Sequence, residues 1–346
     1  MSAELESQAS FEASPLGFLY RQFARPKPLP ADRRLTGQTA IVTGSNIGLG
    51  LEASRQLLAL GLAHLVMAVR SEAKGNAAAD RLRAEFPACA ISVWPLDLES
   101  YESVCAFADR CSTTLSRLDI AILNAGQIQT SYAVVPATGH ERTLQVNYLS
   151  NALLALLLLP VFKAKRANGR AEPPVLTLVG SDVAYVAEIQ TTSPLLPQLD
   201  RPDGFNQFAW YFKSKLLLIL FVSKLADLVN PDDVLVNMAN PGMTRGTAFF
   251  RDMPVMMATF MGASQWLLGR ALAVAASTYV DAAVAYGKES HGAFTSEWTI
   301  KPYPKICYTP EGREVRERLW EETTKELGFA GAVTAIDGSK ARAGER

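Results

Sequence analysis

The chain is poor in the residues that build metal and disulfide sites. It holds three histidines, His64, His140 and His291, far apart in sequence, so no metal site is expected, zinc included. Its four cysteines, Cys89, Cys105, Cys111 and Cys307, contain no CxxC pair. A chain of 346 residues needs no covalent staples, so reduced thiols in a cytoplasmic compartment are the expected state. Net charge is also missing, because 34 basic and 34 acidic residues cancel. No charged field exists to gather nucleic acid or anionic lipid, and no nucleic-acid partner is expected. Residues 1–10 lack the basic and apolar regions of a secretory signal. The longest apolar run, Ala152 to Phe162, is too short to span a bilayer and contains Pro160, so no transmembrane segment is expected. A second apolar stretch, Met253 to Ala276, is interrupted by Gly262, Gln265, Gly269 and Arg270. It reads as a buried or substrate-covering helical region, with membrane-surface contact as the other reading.

What is present suits a sizeable core, with 49% of residues hydrophobic and 20% charged. Residues 1–36 read as an extension ending in Arg25-Pro26-Lys27-Pro28-Leu29-Pro30, which excludes regular helix or central strand. Leu16 to Phe23 is apolar enough to pack on the main body or on a partner. Strands and helices then alternate. The expected strands are Thr39–Thr43, His64–Val69, Ala90–Pro95, Leu118–Leu123, Val175–Val179 and Val234–Ala239. The expected helices are Gly48–Leu60, Glu72–Phe86, about Tyr101–Thr114, Gln145–Lys163 and Phe208–Leu228. The strands are short and rich in Val, Ile and Leu, as a parallel sheet covered on both faces requires. Such alternation predicts right-handed crossovers and a single doubly wound α/β domain with flanking helices over residues 37–331. The Gly-, Ala-, Lys- and Arg-rich tail, 332–346, reads as frayed.

The first strand runs into Thr43-Gly44-Ser45-Asn46-Ile47-Gly48-Leu49-Gly50. Gly44 permits a tight turn, Gly48 lets the backbone approach a pyrophosphate, and Gly50 lets the next helix sit close to the sheet. Unpaired N–H groups at that helix start favour phosphates. The second strand ends in Val69-Arg70-Ser71, where a site for the unphosphorylated dinucleotide usually places Asp or Glu. A guanidinium offers a donor fork to a 2′-phosphate, which predicts NADP(H). Ser45 and Asn46 add neutral donors. The plainer reading of Arg70 is a solvated charge.

This turn resembles the fingerprint of the short-chain dehydrogenase/reductase superfamily, and four further blocks follow in that superfamily's order. They are Asp97-Leu98, Asn124-Ala125-Gly126, Tyr211 with Lys215, and Asn240-Pro241-Gly242-Met243-Thr244. The resemblance covers roughly residues 37–300. It implies a Rossmann-type fold of about seven strands, the last near Gly292–Thr299. It also implies adenine contact at Asp97 and Leu98, and a nicotinamide cover from Pro241 to Thr244. By the same resemblance Tyr211 is the general acid/base, and Lys215 binds the nicotinamide ribose. Ser181 polarises the substrate oxygen and Asn147 serves a proton relay. The chain departs from the commonest pattern in having Gly180-Ser181 rather than two serines. Gly139-His140-Glu141 and the long interval from Ser181 to Tyr211 are similar to retinol-dehydrogenase-like members. Phe18-Leu19-Tyr20-Arg21-Gln22-Phe23 resembles fungal members, many of which act in secondary metabolism.

The chemistry suits these residue types. A ketone gaining a hydride builds negative charge on oxygen, and a tyrosine hydroxyl can protonate it. An ammonium four residues along the same helix face stabilises the phenolate and lowers the tyrosine pKa. The expected activity is oxidation or reduction of a lipophilic alcohol or ketone. The apolar stretch after Thr244 and the loop Ala187–Asn206 motivate the lipophilic assignment. A catalytically silent NADP(H)-binding sensor or scaffold is the alternative, although such proteins usually lose the Tyr or Lys. An epimerase or dehydratase would commonly use a differently spaced glycine turn. His140 reads as structural, and Tyr185 as either pocket lining or core. The apolar helices Gln145–Lys163 and Phe208–Leu228 suggest a homodimer.

Overall fold

Apolar strands flanked by amphipathic helices assemble into one sheet. The computed structural model describes residues 2–29, 32–166, 172–246 and 255–331. The expected tail, 332–346, and the start of the second apolar stretch lie outside the described residues. The strands are β1 (Thr39–Thr43), β2 (His64–Val69), β3 (Ala90–Pro95), β4 (Ile120–Leu123), β5 (Val175–Val179), β6 (Leu235–Asn240), β7 (Phe294–Ser296) and β8 (Thr299–Lys301). Their spatial order is β3-β2-β1-β4-β5-β6-β7-β8. Every pair is parallel except β7 with β8. This is the doubly wound Rossmann-type sheet, and its order reverses between β1 and β4.

The helices are α1 (Pro15–Gln22), α2 (Gly48–Ala59), α3 (Glu72–Glu85) and α4 (Tyr101–Thr114). They continue with α5 (Arg142–Ala164), α6 (Gln207–Leu228), α7 (Val255–Leu268), α8 (Leu272–Val284) and α9 (Pro310–Glu326). Alternate strand residues feed two cores, as the period of two demands. Ile41, Ala121, Leu176 and Val236 pack with Phe107, Leu154, Leu217 and Leu319 of α4, α5, α6 and α9. Ala40, Val42, Leu65 and Ile122 pack with Leu57, Ala79 and Val280 of α2, α3 and α8 on the other face.

Three local features depart from the expectations. The long helix begins at Arg142 rather than Gln145, because Glu141 caps it by accepting from the Thr143 and Leu144 N–H groups at 2.8 and 3.0 Å. Its segment Gln145–Leu149 is π-helical, which a 3.6-residue period does not register. Among the described residues the sheet has eight strands, because β7 turns back into β8 through Glu297 and Trp298, at φ 50° and 56°. Such two-residue turns normally carry Asn or Gly, so no turn signal stood there.

The helix Arg142–Ala164 is long and apolar enough to cross a membrane, yet it lies almost wholly buried in the core. The apolar residues of α5 and α6 pack against α4, α9 and each other within one copy, which accounts for their composition. The N-terminal extension also joins the body. Ser2 Oγ accepts from the Phe294 N–H at 2.9 Å, and Arg21 and Gln22 are buried.

Candidate active site

Most of the expected site residues follow the carboxyl ends of strands, where ligands bind in open α/β sheets, and Asn147, Tyr211 and Lys215 lie on α5 and α6. Beyond β1, Gly44 and Gly48 take φ of +64° and +60°. A Cβ at Gly48 would meet open space, whereas one at Gly50 would lie 2.6 Å from Gly44 O and from Asn124 Nδ2. Gly50 therefore serves close packing and Gly48 leaves the backbone accessible. Asn124 secures the turn by donating to Thr43 O at 2.8 Å, and Thr43 Oγ1 accepts from the Ala125 N–H at 2.9 Å. Ser45 Oγ is buried and has no partner among the described residues. A buried hydroxyl beside exposed backbone at a helix start fits a phosphate-bearing dinucleotide.

Arg70 stands at the end of β2 with its side chain 65% exposed, 3.4 Å from Glu99. Asp97 and Leu98 follow β3. Asp97 Oδ1 accepts from the Glu99 N–H, and Leu98 is buried with its carbonyl accepting from Ser150 Oγ. Asn46, Ile47 and Leu49 are part-exposed around the turn.

Ser181 follows β5 and Tyr211 and Lys215 lie one turn apart on α6. Ser181 lies beside the Tyr211 hydroxyl, near enough to act on its titration. Burial pushes the Tyr211 pKa up, Ser181 opposes this and Asp182 adds to it, so the lowering expected from Lys215 is not what the structure shows: burial dominates and makes Lys215 itself less basic. Lys215 is buried and donates to Val179 O at 2.8 Å, with its Nζ 5.7 Å from the Tyr211 ring centre. Burial lowers its pKa to about 8. Asn147 lies in the π-helical segment. Its amide holds both main-chain groups of Gln127, at 2.8 Å each, and donates to Ser214 Oγ at 3.2 Å. A Cβ on Gly126 would sit 3.2 Å from Asn147 Oδ1, so a glycine there eases the close approach of Asn147, while the 3.8 Å to Lys215 Nζ would be an ordinary contact.

Beyond β6, Pro241 O accepts from Arg270 Nη1 at 3.0 Å, Gly242 has φ +69°, and Thr244 Oγ1 donates to Gly242 O at 3.1 Å. Met243 binds the Gln22 side chain through both main-chain groups. A groove of about 410 Å³ runs beside the start of α6, lined by Val186, Ala187, Ile189, Trp210, Phe212 and Lys213. Another cavity, about 190 Å³ and lined by Leu35, Val175 and Leu235, lies at the opposite ends of the strands.

Tyr185 is core: its hydroxyl donates to Pro302 O at 2.7 Å and its ring meets Phe294 edge-on. His140 bonds Asp200 at 2.8 Å and Glu326 at 3.2 Å, away from Tyr211. Sequence reasoning did not find Gln22, Arg21, Asp182, Glu99 or Arg270 at this end of the sheet. No site role attaches to them in the sequence, although Arg21 and Gln22 fall in the block that resembles fungal members, and their partners lie up to 249 residues away.

The short chain dehydrogenase family model matches residues 38–171. A short chain dehydrogenase of Hypocrea virens is 59% identical, covering 98% of this chain and 99% of its own. A short chain dehydrogenase/reductase of Annulohypoxylon moriforme is 46% identical over 94% of this chain and 95% of its own. Among solved structures, the fold is like that of an NADPH-bound short chain oxidoreductase from Pseudomonas aeruginosa PAO1 with an atypical catalytic centre. That likeness has a TM-score of 0.57 at 20% identity and covers 75% of this chain and 95% of the other. With a Rossmann-type sheet, the glycine turn and the Ser181–Tyr211–Lys215 cluster on one edge, and a relative matched nearly end to end, the chain belongs to the short chain dehydrogenase family of oxidoreductases.

Proposed function

We propose that the chain uses NADP(H) to interconvert a ketone or aldehyde with an alcohol on a lipophilic small molecule, of the kind handled in fungal secondary metabolism. The observation that carries this reading is Tyr211 and a buried Lys215 one turn apart on α6, with Lys215 Nζ 5.7 Å from the Tyr211 ring centre and Ser181 beside the tyrosine. NADPH, when bound, would supply the hydride. Gly44 to Gly50 would hold its pyrophosphate, Arg70 its 2′-phosphate, Asp97, Leu98 and Asn124 to Gly126 its adenosine side, and Pro241 to Thr244 its nicotinamide. Ser181 donates to the carbonyl oxygen and aligns it. Tyr211 gives its hydroxyl proton to that oxygen as negative charge develops there. Lys215 stabilises the resulting phenolate, and Asn147 supports the relay that returns a proton to Tyr211. The roles reverse for alcohol oxidation.

The groove beside the start of α6, where Ile189, Trp210 and Phe212 stand with Glu188, Gln190 and Lys213, supports a substrate with apolar parts. Four free cysteines support a cytoplasmic setting. The test is NADPH consumption against a panel of ketones, with Tyr211→Phe as the control. That variant keeps ring packing and cofactor binding but loses the proton donor, so kcat should fall by about 10²–10⁴. Lys215→Met should lower both kcat and NADPH affinity. Retention of most activity by Tyr211→Phe would sink the mechanism. A wild type that binds NADPH but turns over no carbonyl in the panel favours the silent sensor or scaffold.

A further inference from the structure

The family match begins at residue 38, so α1 lies ahead of it. That helix docks in an inverted way. Its apolar residues Leu16, Tyr20 and Phe23 beside it are 71%, 66% and 63% exposed, while Arg21 and Gln22 are 3% and 4% exposed. Hydrophobic burial is therefore not what seats it, and its polar contacts decide where it sits.

Those contacts go to the active-site edge. Gln22 Nε2 donates to Met243 O at 2.7 Å, and Gln22 Oε1 accepts from the Met243 N–H at 3.0 Å. One side-chain amide thus pairs both main-chain groups of a residue that has left the sheet, as a neighbouring strand would. Arg270 grips the same segment through Pro241 O at 3.0 Å, and its other terminal nitrogen donates to the main-chain carbonyl of Arg21. A Cβ at Gly242 would lie 3.0 Å from both Gln22 Oε1 and Arg270 Nη1, so the clasp is closed around that glycine. Arg21 meanwhile binds Glu12 at 2.6 Å and Asp182 at 3.2 Å, and Asp182 is the neighbour of Ser181. The Asp182 N–H donates to Asn240 Oδ1 at 3.3 Å, and the same oxygen accepts from the Gly242 N–H at 3.1 Å. One eight-residue helix thereby ties the Ser181 loop to the segment after β6.

We propose that α1 is a positioning element of the reaction, with Gln22 as the residue that holds the Pro241–Thr244 segment in place for the nicotinamide end of the cofactor. The proposal rests on the NADP(H) reading above. Gln22 touches no reacting atom in this scheme and acts through the Met243 backbone.

The test is Gln22→Met in the full chain, which keeps side-chain length and removes the amide. NADPH affinity, 2′,5′-ADP affinity, kcat and KM would be measured beside a thermal melt. The 2′,5′-ADP half carries the adenosine groups that Arg70 and the glycine turn would take, near β1–β3, and has no nicotinamide. Loss of two neutral hydrogen bonds should weaken NADPH binding and lower kcat by about tenfold. Affinity for 2′,5′-ADP should stay within about twofold of wild type. NADPH affinity and kcat both within about twofold of wild type would overturn the proposal. So would a parallel loss of 2′,5′-ADP binding, which marks general destabilisation rather than positioning. If the wild type binds neither ligand, it is the NADP(H) reading that fails, and the proposal falls with it.

Discussion

Arg70 shares the Glu99 carboxylate with Arg142, at 3.4 Å to one oxygen and 3.1 Å to the other. The residue proposed for a 2′-phosphate is thus already beside a carboxylate, and binding there would exchange one anion for another. Both charges are solvent-reached, so the exchange is a modest term that salt will weaken. Glu99→Gln should tighten NADPH binding a few-fold at low ionic strength, with the gain fading in high salt, as a fluorescence titration at two salt concentrations would read. Arg70→Asp should shift preference from NADPH toward NADH by about tenfold or more. Equal wild-type affinity for the two cofactors would count against Arg70 as the selector. Arg70 and Tyr211 were legible because their place after a strand or on a helix face is local information. Glu99 and Gln22 were not, since each matters only through a partner brought near by the fold.

At the scale of elements, His140 fastens three pieces together. It joins Asp200 of the loop before α6 to Glu326 at the end of α9, and Tyr101 of α4 donates to that same Glu326 at 3.3 Å. Burial opposes a charge on His140, but hydrogen bonds and charges from Asp200 and Glu326 outweigh it and raise its pKa above the ordinary imidazole value. A raised folded pKa means the imidazolium stabilises the fold fully below the unfolded value of about 6.5. That contribution is lost as pH rises through the higher folded value. Thermal melts from about pH 6 to 9 should show the wild type losing stability relative to His140→Gln, and parallel curves would refute the clamp. The β7–β8 turn is a second such element. Glu297 and Trp298 hold left-handed backbone without glycine, at a cost of order 1–3 kcal/mol each. Buried ion pairs from Glu297 to Arg270 and Lys301, at 3.5 and 3.2 Å, hold the turn, and Trp298 Nε1 donates to Ser277 Oγ at 3.0 Å. Glu297→Ala removes the carboxylate paired with buried Arg270 and leaves Lys301 with Glu12 alone, and should cost about 3 kcal/mol in urea unfolding. A loss under about 1 kcal/mol would show that the pairs matter little.

Across the whole molecule, the apolarity of α5 and α6 has an intrachain explanation, because α4 and α9 cover them. The composition that suggested a homodimer is used up in the core of one copy. Light scattering at micromolar concentration should accordingly give a monomer, and a dimer would direct attention to the exposed apolar residues of α1 and α7. Those include Leu16, Tyr20, Trp266 and Leu267, the last two 74% and 68% exposed. The N-terminal extension, set apart by its prolines in the sequence, is tied to β7 by Ser2 and to β8 by the Glu12–Lys301 pair at 2.9 Å.

By itself the sequence determined the strand-helix order, the glycine turn and the Tyr211–Lys215 face, because each is written in residues a few positions apart. Strands such as His64–Val69 and Val175–Val179 lie where their apolar runs put them. Only the tertiary structure decided which face of each apolar helix was already covered, where the N-terminal helix docks, and which carboxylate stands beside Arg70. The helices are covered by apolar contacts between distant elements, and the docking of the N-terminal helix depends on buried polar pairs such as Gln22 with Met243 and Arg21 with Asp182, separated by 221 and 161 residues. A hydrogen bond or ion pair leaves no periodicity in a chain, and it becomes strong only where the fold has removed the water around it.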